Sequence, residues 1–312
     1  MILQPLPPGR DIPAPLLTEL TALYASHRDF LALSGDLPDP DDVRPEQVAA
    51  LLAGELAQAH AEVLLARSAG RLVALVITLA RHPDPADPDP WIGLLLVDAS
   101  EQGKGYGRRV ATEVEERFRA AGRRAVRLAV LDGNTSGLAF WTALGYEVVD
   151  HRRDHALGRP CAVLRKVLRT PRRAARVAVV DPGGAVLLFR YDNVEVGVHW
   201  ALPGGGLEAG EGPREGARRE LREETGWGDV EPGDLLCTWE HDFTHTGVPV
   251  RQHEHVYVTR GPHREPAGPQ LAAAHAADGI LTWRWWSRAE LAAEAEPVWP
   301  PDLARMLDEW EG

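Results

Sequence analysis

The sequence predicts two α/β domains in one chain. The chain has 312 residues, more than one hydrophobic core normally organises, so its length favours two domains. In each half, short apolar runs typical of strands alternate with apolar residues at helical spacing. The stretch Thr170-Pro171-Arg172-Arg173 interrupts this alternation and has the composition of an exposed connector. We place the boundary there and predict domains of residues 1–170 and 171–312.

The first half is predicted to begin with helices and to continue as a strand-rich region. Leu and Ala recur at helical spacing over residues 14–33 and 45–60. The following apolar runs and amphipathic stretches predict, in order, strands at 62–67, 71–80 and 91–97, a helix at 108–121, a strand at 125–130, a helix at 136–144, and strands at 146–149 and 161–168.

The second half restarts the alternation at residues 176–180. The turn sequence Asp181-Pro182-Gly183-Gly184 leads into a returning strand at 185–190. A helix is predicted from about Pro213 to Glu224, because proline suits a first helical turn and Gly226 suits the position after a helix end. A further strand is predicted at 251–259.

Composition and charge restrict the function classes. The hydrophobic fraction of 44% and the charged fraction of 26% are typical of a globular protein. Residues 1–170 carry 20 Lys and Arg against 22 Asp and Glu, whereas residues 171–312 carry 14 against 24. The acidic second half argues against broad contact with nucleic acid, which basic residues drive, and suits a domain that binds divalent cations.

The chain is expected to be cytoplasmic. It has only two cysteines, Cys161 and Cys237, so a disulfide framework is excluded and a reducing compartment is expected. The first residues lack the basic segment and long apolar run of a signal peptide. The most apolar stretch, Leu72 to Ala80, is about half the length needed to cross a bilayer, so no membrane contact is expected.

Three glutamates in the predicted helix 213–224 form a candidate metal site. Glu220, Glu223 and Glu224 stand at i, i+3 and i+4, so their carboxylates share one face. An exposed helix with Arg–Glu pairs, such as Arg219 with Glu223, is the alternative interpretation. However, crowded acids repel each other unless a cation lies between them, and hard oxygen ligands select Mg²⁺ or Mn²⁺.

This segment resembles the box of the Nudix hydrolase family, G-x5-E-x7-R-E-U-x-E-E-x-G-U, where U is apolar. Each specified position is filled here, by Gly205, Glu211, Arg219, Glu220, Leu221, Glu223, Glu224, Gly226 and Trp227. The preceding segment Trp200-Ala201-Leu202-Pro203-Gly204 also looks like the usual lead-in of the family. The resemblance covers roughly residues 174–312 and implies an α/β/α sandwich.

The resemblance implies Mg²⁺-dependent hydrolysis of a nucleoside diphosphate linked to another moiety. Glu220 and Glu224 would be the principal metal ligands, with Glu223 near them and the Gly204 carbonyl as a further ligand. Arg219 would orient a glutamate. The general base varies within the family, and Glu220 and Glu254 are both candidates. Glu254 lies between His253 and His255 in the predicted strand 251–259, where a surface acid is the alternative interpretation. The particular substrate is not readable from the sequence.

A glycine-rich loop in the first half is a candidate anion site. It runs through Gln102, Gly103, Lys104, Gly105, Tyr106, Gly107 and Arg108, between the strand 91–97 and the next helix. A strand, a glycine-rich turn and a helix N-terminus together bind phosphate, because unpaired N–H groups and the helix dipole point at the anion. Taken alone, the loop is better explained as a tight turn.

The motif Q-x-x-G-x-G formed by Gln102, Gly105 and Gly107 resembles that of the GNAT acyltransferases. Asn134 begins the helix after the strand 125–130, as in that family. The run Ala139-Phe140-Trp141-Thr142-Ala143-Leu144-Gly145-Tyr146 looks like its frequent A-x-Y-x-x-x-G-F ending. The resemblance covers roughly residues 10–168 and implies a mixed twisted sheet with flanking helices.

This second resemblance implies binding of acetyl-CoA and transfer of acetyl to an amine that is unknown. The backbone of Gln102 to Arg108 would hold the pyrophosphate, Leu96 and Val97 would pair with the pantetheine arm, and Asn134 would contact it. Trp141 departs from the family, because it stands where a tyrosine often protonates the leaving thiolate. An indole N–H donates a hydrogen bond but is no practical acid.

The sequence therefore predicts a cytoplasmic, bifunctional α/β protein, in which an acetyltransferase-like domain precedes a Nudix hydrolase. One alternative is a Nudix enzyme whose first domain only binds CoA as a sensor or scaffold. Another is an RNA-end-processing protein that uses the basic cluster at the boundary, formed by Arg165, Lys166, Arg169, Arg172, Arg173 and Arg176. The substrates expected are a small nucleotide-type molecule and acetyl-CoA, without nucleic acid.

Overall fold

The computed structural model divides into two compact units, Met1–Leu168 and Arg169–Gly312. It describes the chain except for residues 7–11, 83, 85–86, 155–156, 194–195, 269–270, 295 and 312, and the side chains of 274 and 277. Arg10 and Gly312, the outermost residues of the two predicted family spans, therefore lie outside the described residues. No helix in the described part of the chain has both the length and the apolar character that crossing a membrane requires.

The first unit is a seven-stranded sheet with helices on both faces. Its sheet order is β1-β2-β3-β4-β5-β7-β6, and only β4 and β5 run parallel. The strands are β1 (Ile2–Pro5), β2 (Ala61–Ser68), β3 (Arg71–Leu79), β4 (Trp91–Val97), β5 (Ala125–Leu131), β6 (Glu147–Arg153) and β7 (Pro160–Val167). The helices are α1 (Ala14–Ala25), α2 (Arg28–Ser34), α3 (Pro45–Leu56), α4 (Tyr106–Ala120) and α5 (Thr135–Ala143).

Two apolar layers sandwich this sheet because alternate residues of its strands point to opposite faces. Leu64 and Val76 face the core that also contains Val110 and Val114 of α4. Their neighbours Leu65 and Leu75 face the core formed with α1, α2 and α3.

The second unit is a mixed, eight-stranded sheet that also has helices on both faces. Its main order is β12-β13-β8-β9-β10-β15, with β11 paired to β8 and β14 paired to β9. The strands are β8 (Thr170–Val180), β9 (Val186–Asn193), β10 (Gly197–Ala201), β11 (Gly204–Gly206), β12 (Asp234–His245), β13 (Val248–Arg260), β14 (Ile280–Trp286) and β15 (Val298–Trp299). The helices are α6 (Pro213–Thr225), α7 (Leu271–Asp278), α8 (Arg288–Ala293) and α9 (Leu303–Glu311).

The helices of the second unit cover opposite faces of its sheet. On one face, α6 packs Ala217 and Leu221 against Val177. On the other face, α9 packs Leu303 and Leu307 against buried apolar residues of the strands. The predicted fold class is therefore confirmed: both units are α/β, one a mixed sheet with flanking helices and the other an α/β/α sandwich.

The structure divides the span of helical spacing at residues 14–33. Two helices occupy this span, since α1 ends at Ala25 and α2 begins at Arg28. The side chain of Ser26 accepts a hydrogen bond from the backbone N–H of Ala99 at 3.2 Å. This long-range bond, which the local sequence does not reveal, fixes the turn between the two helices.

The predicted connector at Thr170–Arg173 is a strand instead, although Thr170, Pro171 and Arg173 are exposed as predicted. These residues are the first four of β8, which pairs in parallel with β13 from the register Thr170 opposite Val250 onward. Pro171 is tolerated because it lies at the beginning of the strand, where a missing N–H costs little. Arg176, in the same strand, is 9% exposed. The basic cluster is therefore partly buried in the sheet and is not a solvated patch.

Candidate functional site

Helix α6 is positioned by its two ends. Pro213 occupies the first turn, and the Glu215 side chain accepts a hydrogen bond from the Gly212 N–H at 3.0 Å. Gly226 ends the helix in the left-handed conformation, with φ at 75°. A Cβ there would lie 1.9 Å from the carbonyl oxygen of Ala267, so only glycine fits.

Arg219 links four groups at the exposed side of the site. Its guanidinium bonds both carboxylate oxygens of Glu211 at 2.9 Å and the Gly206 carbonyl at 2.9 Å. It also reaches Glu220 at 2.9 Å and Glu223 at 3.1 Å. This pairing lowers the pKa of Glu211. The structure thus brings Arg219 into contact with three glutamates of the predicted site and fixes the loop against the helix.

The three predicted metal ligands of α6 differ sharply in burial. Glu224 is 1% exposed, and its carboxylate accepts hydrogen bonds from the Gly204 N–H at 2.7 Å and the Tyr191 hydroxyl at 3.2 Å. Burial raises the pKa of Glu224 to about 8, and the charge of Glu220 acts in the same direction. Burial also raises the pKa of Glu220. Glu223 keeps 48% of its side chain exposed.

A fourth acid, Asp278, adds to this negative site. It is the last residue of α7, and its charge raises the pKa values of Glu220 and Glu224. The pKa of Asp278 is itself raised, first by burial and then by Glu223. Sequence reasoning missed this residue, because it lies 54 positions after Glu224 without a recognisable motif around it.

Gly204 is held between two charged side chains. Its φ of +140° places a hypothetical Cβ 2.3 Å from the carbonyl oxygen of Ala175, so no side chain fits. Its N–H donates to Glu224, and its carbonyl accepts from the Arg176 guanidinium at 2.8 Å. The carbonyl predicted as a metal ligand therefore already has one cationic partner in this structure.

Glu254 lies in the same site and is not a surface acid. It is 1% exposed, and one carboxylate oxygen accepts from Arg176 at 2.8 Å and from Gln252 at 2.5 Å. Arg176 also bonds the Leu202 carbonyl at 2.7 Å. Among the described residues, the second oxygen of Glu254 is buried and has no hydrogen-bond partner. Sequence reasoning missed Arg176 as a functional residue because it was counted with the boundary cluster.

In the first unit, the parallel strands β4 and β5 separate after two paired positions. β4 and β5 pair only at Trp91 with Arg127 and at Ile92 with Leu128. Because the Asp98 N–H bonds β3 at Val73, the alternation of the backbone turns Leu95 and Val97 towards the open side. Beyond residue 92, the backbone of Leu95 and the Val97 N–H are thus turned towards the gap, whereas the Val97 carbonyl accepts a hydrogen bond from the Gln102 side chain at 3.3 Å. Leu96, which was predicted to pair with the pantetheine arm, faces β3 instead.

The glycine-rich loop continues from this open edge into α4. Gly103 and Gly105 have φ values of 75° and 81°, and a Cβ on either would meet nothing within 4 Å. Gly105 precedes the first residue of α4 and no side chain caps the helix. Among the described residues, the first N–H groups of α4 therefore have no side-chain cap, which an anion site at this helix end requires. Gly107 differs, because a Cβ on this residue would lie 3.1 Å from the Phe140 ring. The absence of a side chain therefore leaves room for that ring.

The other predicted groups of this unit have structural partners. The Asn134 side chain begins α5 and accepts from the Gly137 N–H at 2.9 Å, which leaves its amide N–H₂ for a ligand. Trp141 is 8% exposed and packs on the Tyr146 ring, whose centroid is 5.0 Å away. Trp141 is thus a core residue.

His27 is a titratable group at the end of β4 that the sequence did not indicate. It stands between α1 and α2 and hydrogen-bonds the backbone of Val97. Burial lowers its pKa, so the ring is neutral at pH 7. In the described part of the chain, its Nε2 is buried and has no partner. A neutral imidazole with one nitrogen bonded and the other free is suited to accept a proton.

Comparison with known families identifies both units. The NUDIX domain model matches residues 170–309, and the acetyltransferase (GNAT) family model matches residues 24–146. The chain therefore carries a GNAT-family domain followed by a NUDIX domain, and the two resemblances seen in the sequence are confirmed. Both are families of enzymes.

Among curated proteins, the chain is similar to RNA pyrophosphohydrolases. It is 28% identical to that of Roseobacter denitrificans over 159 residues, which is 46% of this chain and 98% of the relative. It is 40% identical to that of Bartonella clarridgeiae over 62 residues, which is 20% of this chain. In this second case the chain spans 36% of the relative's length.

Two solved structures also show similarity to part of this chain. An acetyltransferase from Thermus thermophilus is 22% identical, with a TM-score of 0.42, over 54% of this chain and 98% of that one. A MutT protein from Methanosarcina mazei is 18% identical, with a TM-score of 0.35, over 47% of this chain and 96% of that one. The family assignment rests on the sequence matches.

Proposed function

We propose that the NUDIX domain hydrolyses a pyrophosphate bond in a nucleoside-diphosphate-linked substrate and that Mg²⁺ or Mn²⁺ binds at Glu220 and Glu224. The observation that carries this proposal is the burial of these two acids on one helix face, with the pKa of Glu224 raised to about 8. Glu223 and the Gly204 carbonyl lie at the edge of the same site.

The residues present fit a hard divalent cation. Burying two carboxylates without compensation is costly, and a cation removes that cost. Carboxylate and carbonyl oxygens are the ligands that Mg²⁺ and Mn²⁺ prefer. Within the described ranges, no group of three His, Cys, Asp or Glu side chains is already arranged to hold an ion. Glu220 and Glu223, both bonded to Arg219, would therefore have to turn towards it.

Each side chain of the site has a separate role in hydrolysis. The metal, when bound, neutralises the pyrophosphate oxygens and lowers the pKa of the attacking water. Arg219 orients Glu220 through a bond of 2.9 Å. Glu254 accepts a proton from water through its unpaired oxygen, while Arg176 holds the other oxygen in place. Glu220 is the other candidate for this general-base role.

Chromatographic detection of the nucleotide products from a substrate panel tests this function, because cleavage of the pyrophosphate bond by water leaves a phosphomonoester on each side. The full chain is assayed with Mg²⁺ on nucleotide sugars, ADP-ribose, NADH, CoA and nucleoside triphosphates. Glu224→Gln is the inactive variant expected, and Glu309→Gln is the matched control because its side chain lies on α9, outside the acidic site, and is 65% exposed. Hydrolysis that is independent of Mg²⁺ or Mn²⁺, or near-normal rates for both Glu224→Gln and Glu220→Gln, would refute the assignment.

A second candidate substrate is the 5′ end of RNA. The similarity to proteins named RNA pyrophosphohydrolase favours it. The acidic composition of residues 171–312 opposes wide contact with an RNA backbone, but not recognition of one terminal nucleotide. Competition between a 5′-triphosphorylated oligonucleotide and the matching nucleoside triphosphate separates these substrates. A higher kcat/KM for the oligonucleotide would support the RNA end.

For the first unit we propose binding of acetyl-CoA and acetyl transfer to an amine. The open edge of β4 at Leu95 and Val97 suits the amide groups of the pantetheine arm. The loop from Gln102 to Arg108 suits the pyrophosphate. His27 takes the proton from the attacking amine and returns it to the departing thiolate, a role that the buried Trp141 cannot fill.

Calorimetry and turnover separate transfer from binding alone. Acetyl-CoA binding together with turnover against a panel of amines supports the enzyme, and His27→Gln is expected to lower kcat while leaving CoA affinity unchanged. Binding without turnover against any amine would favour the CoA-binding sensor. Absence of CoA binding at millimolar ligand would refute both assignments.

A further inference from the structure

Aromatic and histidine rings form a continuous cluster at one side of the second unit, which we call the ring cluster. Trp239 stacks on His241 with centroids 4.1 Å apart, and His241 contacts Trp299 at 4.5 Å. Trp299 also contacts His199 at 4.1 Å, and His199 stacks on Tyr191 at 5.7 Å. These five residues come from β9, β10, β12 and β15.

The ring cluster joins opposite ends of the sheet. β12 and β15 are the first and last strands of the sheet order, yet Trp239 and Trp299 lie 5.4 Å apart. The sheet must therefore curl for these edge strands to meet. Trp239, His241 and Trp299 remain half-buried.

The cluster reaches the acidic site directly. The hydroxyl of Tyr191, at one end of the cluster, bonds Glu224 at 3.2 Å. The Arg176 guanidinium lies 5.7 Å from the centre of the Tyr191 ring. Trp239 stands opposite Glu254 in the register of β12 and β13, on the same face of the sheet. A molecule bound at the acids is therefore within reach of the rings.

His241 carries unsatisfied hydrogen-bonding capacity. Across the residues that the structure describes, neither of its ring nitrogens has a partner, and both are buried. Burial lowers its pKa to about 4, so the ring is neutral at pH 7 and has one donor and one acceptor. Unpaired buried polar atoms cost free energy, so a partner is expected for them in the working protein. A core built only for packing does not need a histidine here.

We propose that the ring cluster binds the nucleobase of the substrate, and that this base is a purine. Flat, half-exposed rings of Trp239 and Trp299 offer stacking surface, and a purine has the larger face for it. His241 supplies a neutral donor and acceptor for the polar edge of a heterocycle. This inference rests on the proposed function, because it places the base beside the acids that act on the pyrophosphate.

Calorimetry on the full chain tests this assignment without turnover. GMP, CMP and ribose 5-phosphate are titrated in the presence of EDTA. We expect GMP to bind about tenfold more tightly than ribose 5-phosphate, within the range that stacking on one aromatic side chain provides, and CMP to lie between them. Trp239→Leu and His241→Ala should remove this advantage and leave ribose 5-phosphate binding unchanged.

Trp310→Leu is the matched control. Trp310 lies on α9 and contacts Arg260, outside the ring cluster. The proposal is overturned if GMP binds no more tightly than ribose 5-phosphate, or if Trp310→Leu loses the advantage equally. Should Trp239→Leu fail to fold, the ring protons of His241 in the unmodified chain provide the second readout. They must shift with GMP and not with ribose 5-phosphate, and no shift with GMP overturns the proposal.

These measurements are independent of hydrolysis. Base-dependent binding without pyrophosphatase activity on any substrate would refute the proposed function and leave the nucleobase site standing. Hydrolysis with equal kcat/KM for purine and pyrimidine nucleotides would refute the nucleobase site and leave the proposed function standing.

Discussion

Replacing Glu224 by Gln should stabilise the metal-free protein at alkaline pH, although the residue is proposed to be essential. The pKa of Glu224 rises from 4.5 to about 8 on folding because the carboxylate is buried. Between these values the unfolded chain has released its proton while the folded chain retains it. The folded state binds more protons, so stability falls as pH rises through this window. Gln has the same size and carries no charge.

The magnitude follows from the size of the pKa difference. One pKa unit corresponds to about 1.4 kcal/mol, so the full difference is on the order of 5 kcal/mol above pH 8 and close to zero below pH 4.5. Glu224→Gln should therefore gain most of this stability over the unmodified protein at pH 8.5 and almost none at pH 5. Added Mg²⁺ should stabilise the unmodified chain and not the variant.

Urea unfolding followed by tryptophan fluorescence measures this effect. Eight of the ten tryptophans lie in residues 169–312, so the signal reports mainly on the unit that contains Glu224. Glu223→Gln, on the same helix and half exposed, is the control and should change little at either pH. A destabilised Glu224→Gln at pH 8.5, or an equal gain at pH 5, would show that burial does not hold Glu224 protonated.

Three further predictions concern the two sites and the units themselves. Glu220→Gln and Glu224→Gln should each lower Mg²⁺-dependent hydrolysis by about a hundredfold or more, measured as nucleotide product separated by chromatography, because each removes a charged ligand. Charge reversal of Lys104 and Arg108 together should weaken CoA binding at least about tenfold in calorimetry and leave pantetheine binding unchanged, since pantetheine lacks the phosphates. Residues 169–312 expressed alone should fold and keep most hydrolytic activity, whereas a fragment without the first five of these residues should be less stable in urea. Equal stability of both fragments would contradict the pairing of β8 with β13.

The sequence predicted what depends on local patterns. Periodicity located most strands of the first unit, and the ends of α6 followed from Pro213 and Gly226. The spacing of the three glutamates placed them on one face, as the structure has them. These inferences succeed because helix geometry and turn conformation are decided within a few residues.

The sequence failed where distant residues determine structure. Arg172 and Arg176 looked like part of a basic connector, but the parallel pairing of β8 with β13, 80 positions away, buries Arg176 against Glu254. The break between α1 and α2 depends on the bond from Ala99 to Ser26. Glu223 is also far more exposed than Glu220 and Glu224, and the spacing of the three residues in the sequence does not reveal this difference.

Because β4 and β5 diverge, we expect a bound ligand to change the hydrogen bonding of the β4 backbone. Backbone groups of Leu95 and Val97 face the gap instead of a neighbouring strand. A pantetheine arm in that gap would complete the sheet as a substitute strand. Amide hydrogen exchange at these two positions should then be fast in the free protein and slow with CoA bound, while Leu96, which faces β3, should change little. The ligand would thus serve as a missing part of the fold.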